Sequence, residues 1–207
     1  MYQAHNNLAW SHGIDLIIEE KRSSGKHETA KTDSGKTAMS TEEPSNLGVK
    51  NIVVLRENGI RSLYHFTDAS NLESIRAHGL LAWRKLDENK IESKKNSSEL
   101  SHKLDSEKGL ADYVRLSFCR NHPMMHVALQ QKRISRPVLL KISTQVVSRP
   151  GVLFCERNAA AKGITTSPNP NVVKFEVVKK ADQFSVQPRF RMFYQGEVLV
   201  PELVPLI

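Results

Sequence analysis

Residues Leu63-Tyr64-His65-Phe66-Thr67-Asp68-Ala69-Ser70-Asn71-Leu72-Glu73-Ser74-Ile75-Arg76-Ala77-His78-Gly79-Leu80-Leu81 restrict the fold more than any other stretch. Aromatic and polar residues alternate from Tyr64 to Thr67, which is the period of a strand. On that strand His65 and Thr67 share one face and Tyr64 and Phe66 the other. A helix follows at once. Ser70 reads as its N-cap, with Glu73 three residues on completing a capping box. Leu72, Ile75 and Leu80 give the helix an apolar face, and Gly79 reads as a left-handed terminator. Two readings of His65 and Thr67 stay open. One is an exposed polar face over packed aromatics. The other is a ligand-facing pair, because an imidazole and a hydroxyl together both donate and accept, which suits a ribose diol or a carboxamide.

The rest of the chain sorts around this unit. Residues 1–22 form a short N-terminal segment of unknown role, with an apolar run at Ile14 to Ile18. Residues 23–48 are rich in Ser, Thr, Lys, Glu and Gly and nearly free of large apolar side chains. Such a segment buries too little surface to offset the entropy of ordering, so it reads as a flexible linker. A folded domain is expected over residues 49–207. Ile52-Val53-Val54-Leu55 fits either a short helix or a strand. Asp87 to Ala111 is long and polar and reads as a lid over a site. Asp112 to Cys119, Pro137 to Ile142, Val152 to Cys155, Val172 to Val178 and Glu197 to Val200 read as strands, and Pro123 to Lys132 as a short helix with proline in its first turn. Strands without a regular strand–helix alternation give an α+β fold class.

Charge narrows the partners. The chain carries 30 Lys+Arg against 22 Asp+Glu, a formal net charge of +8. Residues 1–50 hold 6 basic and 7 acidic residues, leaving 24 and 15 for the remainder, so the excess belongs to the folded part. A field of that sign favours a polyanion, although a merely soluble basic surface has the same composition. No apolar run is long enough for a transmembrane helix, so no membrane partner is expected. Residues 1–10 lack the plan of an export signal. Only Cys119 and Cys155 occur, both in apolar runs. Buried thiols in a reduced, cytoplasmic protein are the expectation.

Few motifs carry chemistry by themselves. His122 and His126 share a helix face, but no third ligand stands near, so no metal is expected. No phosphate-cradling glycine loop exists, which excludes a Rossmann site for a dinucleotide. Glu197 begins the apolar strand of Gln195-Gly196-Glu197-Val198-Leu199-Val200. It is either an ordinary strand-edge charge or an acid fixed on a rigid element. Glu202, just after Pro201, is its decoy.

Taken in order, five pieces resemble the DarT-type DNA ADP-ribosyltransferases: Tyr64-His65-Phe66-Thr67; Asn71-Leu72 with Gly79-Leu80-Leu81; Asp112-Tyr113-Val114 with Phe118 and Pro123-Met124; Phe154 to Ala159; and Gln195 to Val200. The resemblance implies an ADP-ribosyltransferase fold, with two small antiparallel sheets forming an NAD cleft and short flanking helices. It implies that NAD is a substrate and that ADP-ribose passes to a nucleobase of single-stranded DNA. The implied setting is a toxin opposed by a macrodomain-type antitoxin. Alternatives are an RNA-directed ADP-ribosyltransferase or 2′-phosphotransferase-like enzyme, or a non-catalytic NAD- or nucleic-acid-binding module. Glu197 matches the catalytic acid, and His65 and Thr67, with the Phe66 backbone between them, match NAD-binding positions. Asn71 and Ser74 open the helix lining the cleft, and the Tyr113 ring is suited to pack on nicotinamide. One departure stands out. The family carries a catalytic Arg between the first helix and the Asp-Tyr-Val strand, yet residues 85–111 contain none. Lys94, Lys95, His102 and Lys103 are the local substitutes, and a lysine lacks the guanidinium fork.

Overall fold

The computed structural model describes residues 19–20, 46–94 and 109–206. In chain order these form β1 (Glu19–Glu20), α1 (Asn46–Glu57), β2 (Ser62–Asp68), α2 (Leu72–His78), β3 (Leu80–Leu81), α3 (Trp83–Glu88) and β4 (Tyr113–Ser117). Then follow α4 (Pro123–Gln130), β5 (Pro137–Ser143), β6 (Leu153–Cys155), α5 (Phe175–Val178), β7 (Glu197–Pro201) and β8 (Leu203–Val204). Short 3-10 turns connect several of them. The fold is α+β. Its two antiparallel sheets are unequal: six strands in the order β1-β5-β2-β4-β7-β6, and a pair made of β3 and β8.

Side-chain parity builds the large sheet. On β5, Val138, Leu140 and Ile142 are buried while the residues between them are less so. β5 pairs along the whole of β2, with Leu63 opposite Ile142 and His65 opposite Leu140. β7 lies between β4 and β6, and its Val198, Leu199 and Val200 are all fully buried. Such continuous burial needs cover on both faces. Val198 and Val200 join the main core with Leu63, Leu116, Leu140 and Phe154, and Leu199 packs with Leu110, Cys155 and Ala159 on the other side. Removing a side chain such as Leu116 from this packing costs about 2–5 kcal/mol.

Several local expectations change. The helix-or-strand run at Ile52 to Leu55 is helical. Asn51 and Leu55, one turn apart, face inward. This helix starts at Asn46, inside the segment read as linker, and its Gly48 lies against the backbone of Ser148, where a side chain has no room. Ser70 is not the helix cap. A 3-10 turn over Ala69–Asn71 intervenes, and both the amide and the hydroxyl of Ser70 donate to the Asp68 carboxylate, the stronger acceptor. Val172 to Val178 is not a strand. Asn169 caps a 3-10 turn over Pro170–Val172, and Phe175, Val177 and Val178 reach the core from α5. Gly79 does end the helix, at φ +79° and ψ −179°, an extended conformation open to glycine and not the left-handed cap expected. Of the segment read as a lid, residues 95–108 lie outside the described residues.

Candidate active site

Where β2 and β4 end beside α2 and α3, a cavity of about 150 Å³ opens. His65 and Thr67 reach it from β2, Asn71 and Ser74 from the start of α2, and Tyr113 and Arg115 from β4. A wider recess of about 670 Å³ adjoins it and shares Asn71, Leu86, Asp87, Ser93 and Lys94. The two recesses are contiguous through that shared lining.

The walls are tightly wired. His65 Nδ1 lies 3.0 Å from the carbonyl oxygen of Arg115. A carbonyl only accepts, so Nδ1 carries the proton and Nε2 is the acceptor of the neutral ring. Burial holds the imidazole below its ordinary value, and the Arg115 charge adds to that, against the opposing effect of the carbonyl bond. The Asn71 amide donates to Thr67 Oγ1 at 3.0 Å and to the Lys94 carbonyl at 2.9 Å, and its oxygen accepts from the Lys94 amide at 2.7 Å. Asn71 therefore works on the cleft wall itself. Lys94 Nζ bonds Asp68 and Ser135, which places this local substitute cation in a structural knot. Lys95, His102 and Lys103 lie outside the described residues.

Phe66 points away from the cleft, as its parity requires. Its ring stacks on His122 with centroids 5.8 Å apart. His122 accepts the Met124 amide on Nδ1 and so caps α4. Burial, then the charges of Arg115 and His65, lowers it to about 3. His126 bonds Asn121. Among the described residues no three His, Cys, Asp or Glu side chains group as metal ligands do. Cys119 and Cys155 are buried free thiols, and burial pushes Cys119 up to about 12.

Glu197 stands behind the cleft wall, two strands from His65. It is 5% exposed, against 63% for the side chain of Glu202, which sits at φ +59° beside Lys85. Arg115 links Glu197 to the cleft. Its Nη2 lies 2.8 Å from Oε2 and 3.0 Å from Oε1, and its Nε lies 3.2 Å from Oε2. The Ala159 amide adds a 2.8 Å bond to Oε2. The sequence sets Arg115 and Arg84 on either side of the Arg-free segment without matching the family's arginine, and yet the parity of β4 holds a signal for Arg115. An arginine two residues after Tyr113, in an otherwise apolar strand, shares the face of that tyrosine. Arg84 is elsewhere, paired with Asp112 at 3.0 Å on the surface.

A cleft between the inner strands β2 and β4 of an antiparallel α+β fold, with a buried acid behind its wall, suits an ADP-ribosyltransferase-type enzyme. Residues 64–206 match the family described as "ssDNA thymidine ADP-ribosyltransferase, DarT". The chain belongs to the DarT family. Solved structures agree on the fold. Thermus sp. 2.9 DarT in complex with ADP-ribosylated ssDNA superposes with a TM-score of 0.55 at 20% identity, over 71% of this chain and 78% of that one. The same protein in complex with NAD+ gives 0.52 at 22% identity, over 70% and 77%. Thermosipho africanus DarTG in complex with ADP-ribose gives 0.57 at 19% identity over 70% of this chain, which spans 41% of that longer one. No curated protein matches the chain.

Proposed function

We propose that this protein cleaves the nicotinamide–ribose bond of NAD and passes ADP-ribose to a base of single-stranded DNA. The observation that carries the reading is Glu197, a buried carboxylate clamped by an arginine that itself lines the cleft. As nicotinamide leaves with the bonding electron pair, positive charge grows on the anomeric carbon. A fixed carboxylate stabilises that charge and accepts from the ribose 2-hydroxyl, as in glycoside hydrolysis. The base nitrogen or oxygen then bonds to the same carbon and gives up its proton to water. The acceptor nitrogen of His65 and the hydroxyl of Thr67 orient the ribose or the carboxamide. Ser74 lines the same wall, and Tyr113 offers a flat ring to nicotinamide.

The acceptor side of the reading rests on the surface leading into Glu197. Pro188–Gln195 forms a 3-10 stretch with Arg189 stacked over Phe190 at 4.7 Å. Phe184, 75% exposed, carries the Arg191 guanidinium 5.6 Å from its ring centre. Lys174 lies 5.1 Å over Phe193. Phe184 is the exposed aromatic of this surface, while Phe190 and Phe193 are half-buried against Val186 and Tyr194; an exposed ring beside cations can hold a single strand by stacking and phosphate contact. Such a platform takes RNA as well as DNA, so the acceptor sugar is part of the test. A macrodomain-type antitoxin is the partner this reading assigns, in keeping with the likeness to a DarTG protein. No helix among the described residues is long and apolar enough to cross a membrane, and the two free thiols suit a reduced cytoplasm.

The test is transfer of labelled ADP-ribose from NAD to homopolymeric DNA and RNA oligonucleotides. Wild type should label DNA, and Glu197→Gln should not. The glutamine variant is chosen because it keeps an oxygen for Arg115. NAD binding without transfer to any strand would leave a non-catalytic binding module instead.

A further inference from the structure

The hydrogen bonds around Glu197 are lopsided. A carboxylate has about four acceptor positions. Oε2 receives three donors: Arg115 Nε at 3.2 Å, Arg115 Nη2 at 2.8 Å and the Ala159 amide at 2.8 Å. Among the described residues Oε1 receives one, Arg115 Nη2 at 3.0 Å. The guanidinium is itself fixed from behind. Its Nη2 donates to Asn158 Oδ1 at 2.7 Å, and the same oxygen accepts the Ala160 amide at 2.9 Å. The main chain of Arg115 acts on a second group, since its carbonyl accepts a hydrogen bond from His65 Nδ1. One residue on the central strand β4 thus touches the acid on one side and the histidine on the other. Its side chain is 20% exposed, and it borders the cleft.

We propose that Arg115 is the positioning residue of this active site: with the Ala159 amide its fork saturates Oε2 of Glu197, it leaves Oε1 as the less-bonded oxygen, and its carbonyl sets the tautomer of His65. The proposal rests on the transferase reading above. It assigns Arg115 no contact with the reacting atoms. A lysine cannot reproduce it, because a point charge does not hold two oxygens in a plane.

The experiment has two arms. In the first, kcat and KM for NAD are measured for Arg115→Ala and Arg115→Lys. Loss of orientation should lower kcat of the alanine variant roughly 100-fold, the penalty of a misplaced catalytic group. KM for NAD should stay within about threefold, since a residue acting only on transition-state geometry changes kcat and kcat/KM together. Arg115→Lys should fall between alanine and wild type. Millimolar guanidinium should restore part of the alanine activity, which repair of a misfolded protein would not do. A raised KM with unchanged kcat would overturn the proposal and make Arg115 an NAD ligand; absence of guanidinium rescue would also count against it. The second arm needs no activity. Thermal unfolding is compared for Arg115→Met, Glu197→Met and the double variant. Each single change strands a buried partner, so each should lower Tm, and the double should recover much of that loss. Additive losses would overturn the clamp. An inactive wild type with an intact cycle would sink the transferase reading and leave the clamp standing.

Discussion

Replacing Asp68 with alanine should cost more stability than any other single polar substitution near the cleft. The carboxylate is 1% exposed and ends β2. It accepts from the Ser135 amide at 2.6 Å, the Arg136 amide at 3.1 Å and the Ser70 amide at 3.1 Å. The hydroxyls of Ser70 and Ser135 and the ammonium of Lys94 complete the set. Each hydrogen bond to a charged group contributes about 1.5–3 kcal/mol. Three stranded amides therefore set a ceiling of about 4.5–9 kcal/mol, which water entering the gap reduces to about 4 kcal/mol. The Lys94 pair adds little, because its ammonium is partly exposed. Asp68→Asn keeps one oxygen and should lose about 2 kcal/mol. Burial alone would raise the Asp68 carboxyl, but the amides of Ser135, Arg136 and Ser70 outweigh it and hold the group far below the usual range. The unfolded value is about 3.9. The stabilisation is thus complete above roughly pH 4 and fades as pH falls toward the depressed folded value. The His122 ring, neutral in the fold, destabilises both proteins below about pH 6.5 and cancels in the difference. Urea unfolding of wild type and Asp68→Ala at pH 7 and at pH 3 reads the effect directly. A gap under about 1 kcal/mol at pH 7 would refute the hydrogen-bond count. An equal gap at both pH values would refute the charge argument.

Three further outcomes follow from particular contacts. His65→Ala should weaken NAD binding roughly tenfold, the loss of one good hydrogen bond, in a calorimetric titration; unchanged affinity would remove His65 from the site. At Gly79 a Cβ would lie 2.5 Å from Leu203 Cδ1 and 3.0 Å from the Val204 carbonyl at φ +79°. Gly79→Ala should therefore destabilise by about 2–4 kcal/mol, combining positive-φ strain with a clash in the β3–β8 pair. A loss below 1 kcal/mol would show that β8 shifts freely. Phe184→Ala should weaken single-stranded DNA binding by about 1–3 kcal/mol while leaving NAD binding alone. Binding by the wild type should also fall steeply with salt. A flat salt response, or a neutral Phe184 variant, would move the acceptor elsewhere.

Much of the scaffold was legible because strand parity is local. The faces of β2, the apolar β7, the proline-started α4 and the Gly79 stop are all written in neighbours two to four residues apart. What failed was decided by competition or distance. Ser70 has the look of a cap, but Asp68 two residues earlier is a stronger acceptor, buried among the Ser135 and Arg136 amides just before β5, which no local pattern announces. Val172 to Val178 has strand-like residues, and Pro170 with a side-chain cap at Asn169 turns the chain first. Asn71 was read as a ligand group. It lines the cleft, and its side chain also grips the backbone of Lys94, 23 residues on, a contact no local pattern announces. The separation of Glu197 from Glu202 also needed the fold: one is locked between strands and the other turns outward to a lysine.

Arg115 shows how the active site differs in kind from the scaffold. The segment where the family resemblance places an arginine has none, so the sequence suggested a lost guanidinium. The fold presents one from the neighbouring strand instead, with its fork on the acid. β2, β4 and β7 are adjacent, so the histidine, the arginine and the acid occupy three consecutive strands of one sheet. Positions on a hydrogen-bonded sheet are held more rigidly than positions on a connecting loop. A guanidinium fixed there can orient Glu197 before NAD arrives. The consequence is kinetic. Preorganisation from the sheet should keep the acid in place in the free enzyme, so NAD binding should leave the Arg115–Glu197 geometry unchanged, and a ligand-bound structure in which that pair has parted would contradict it.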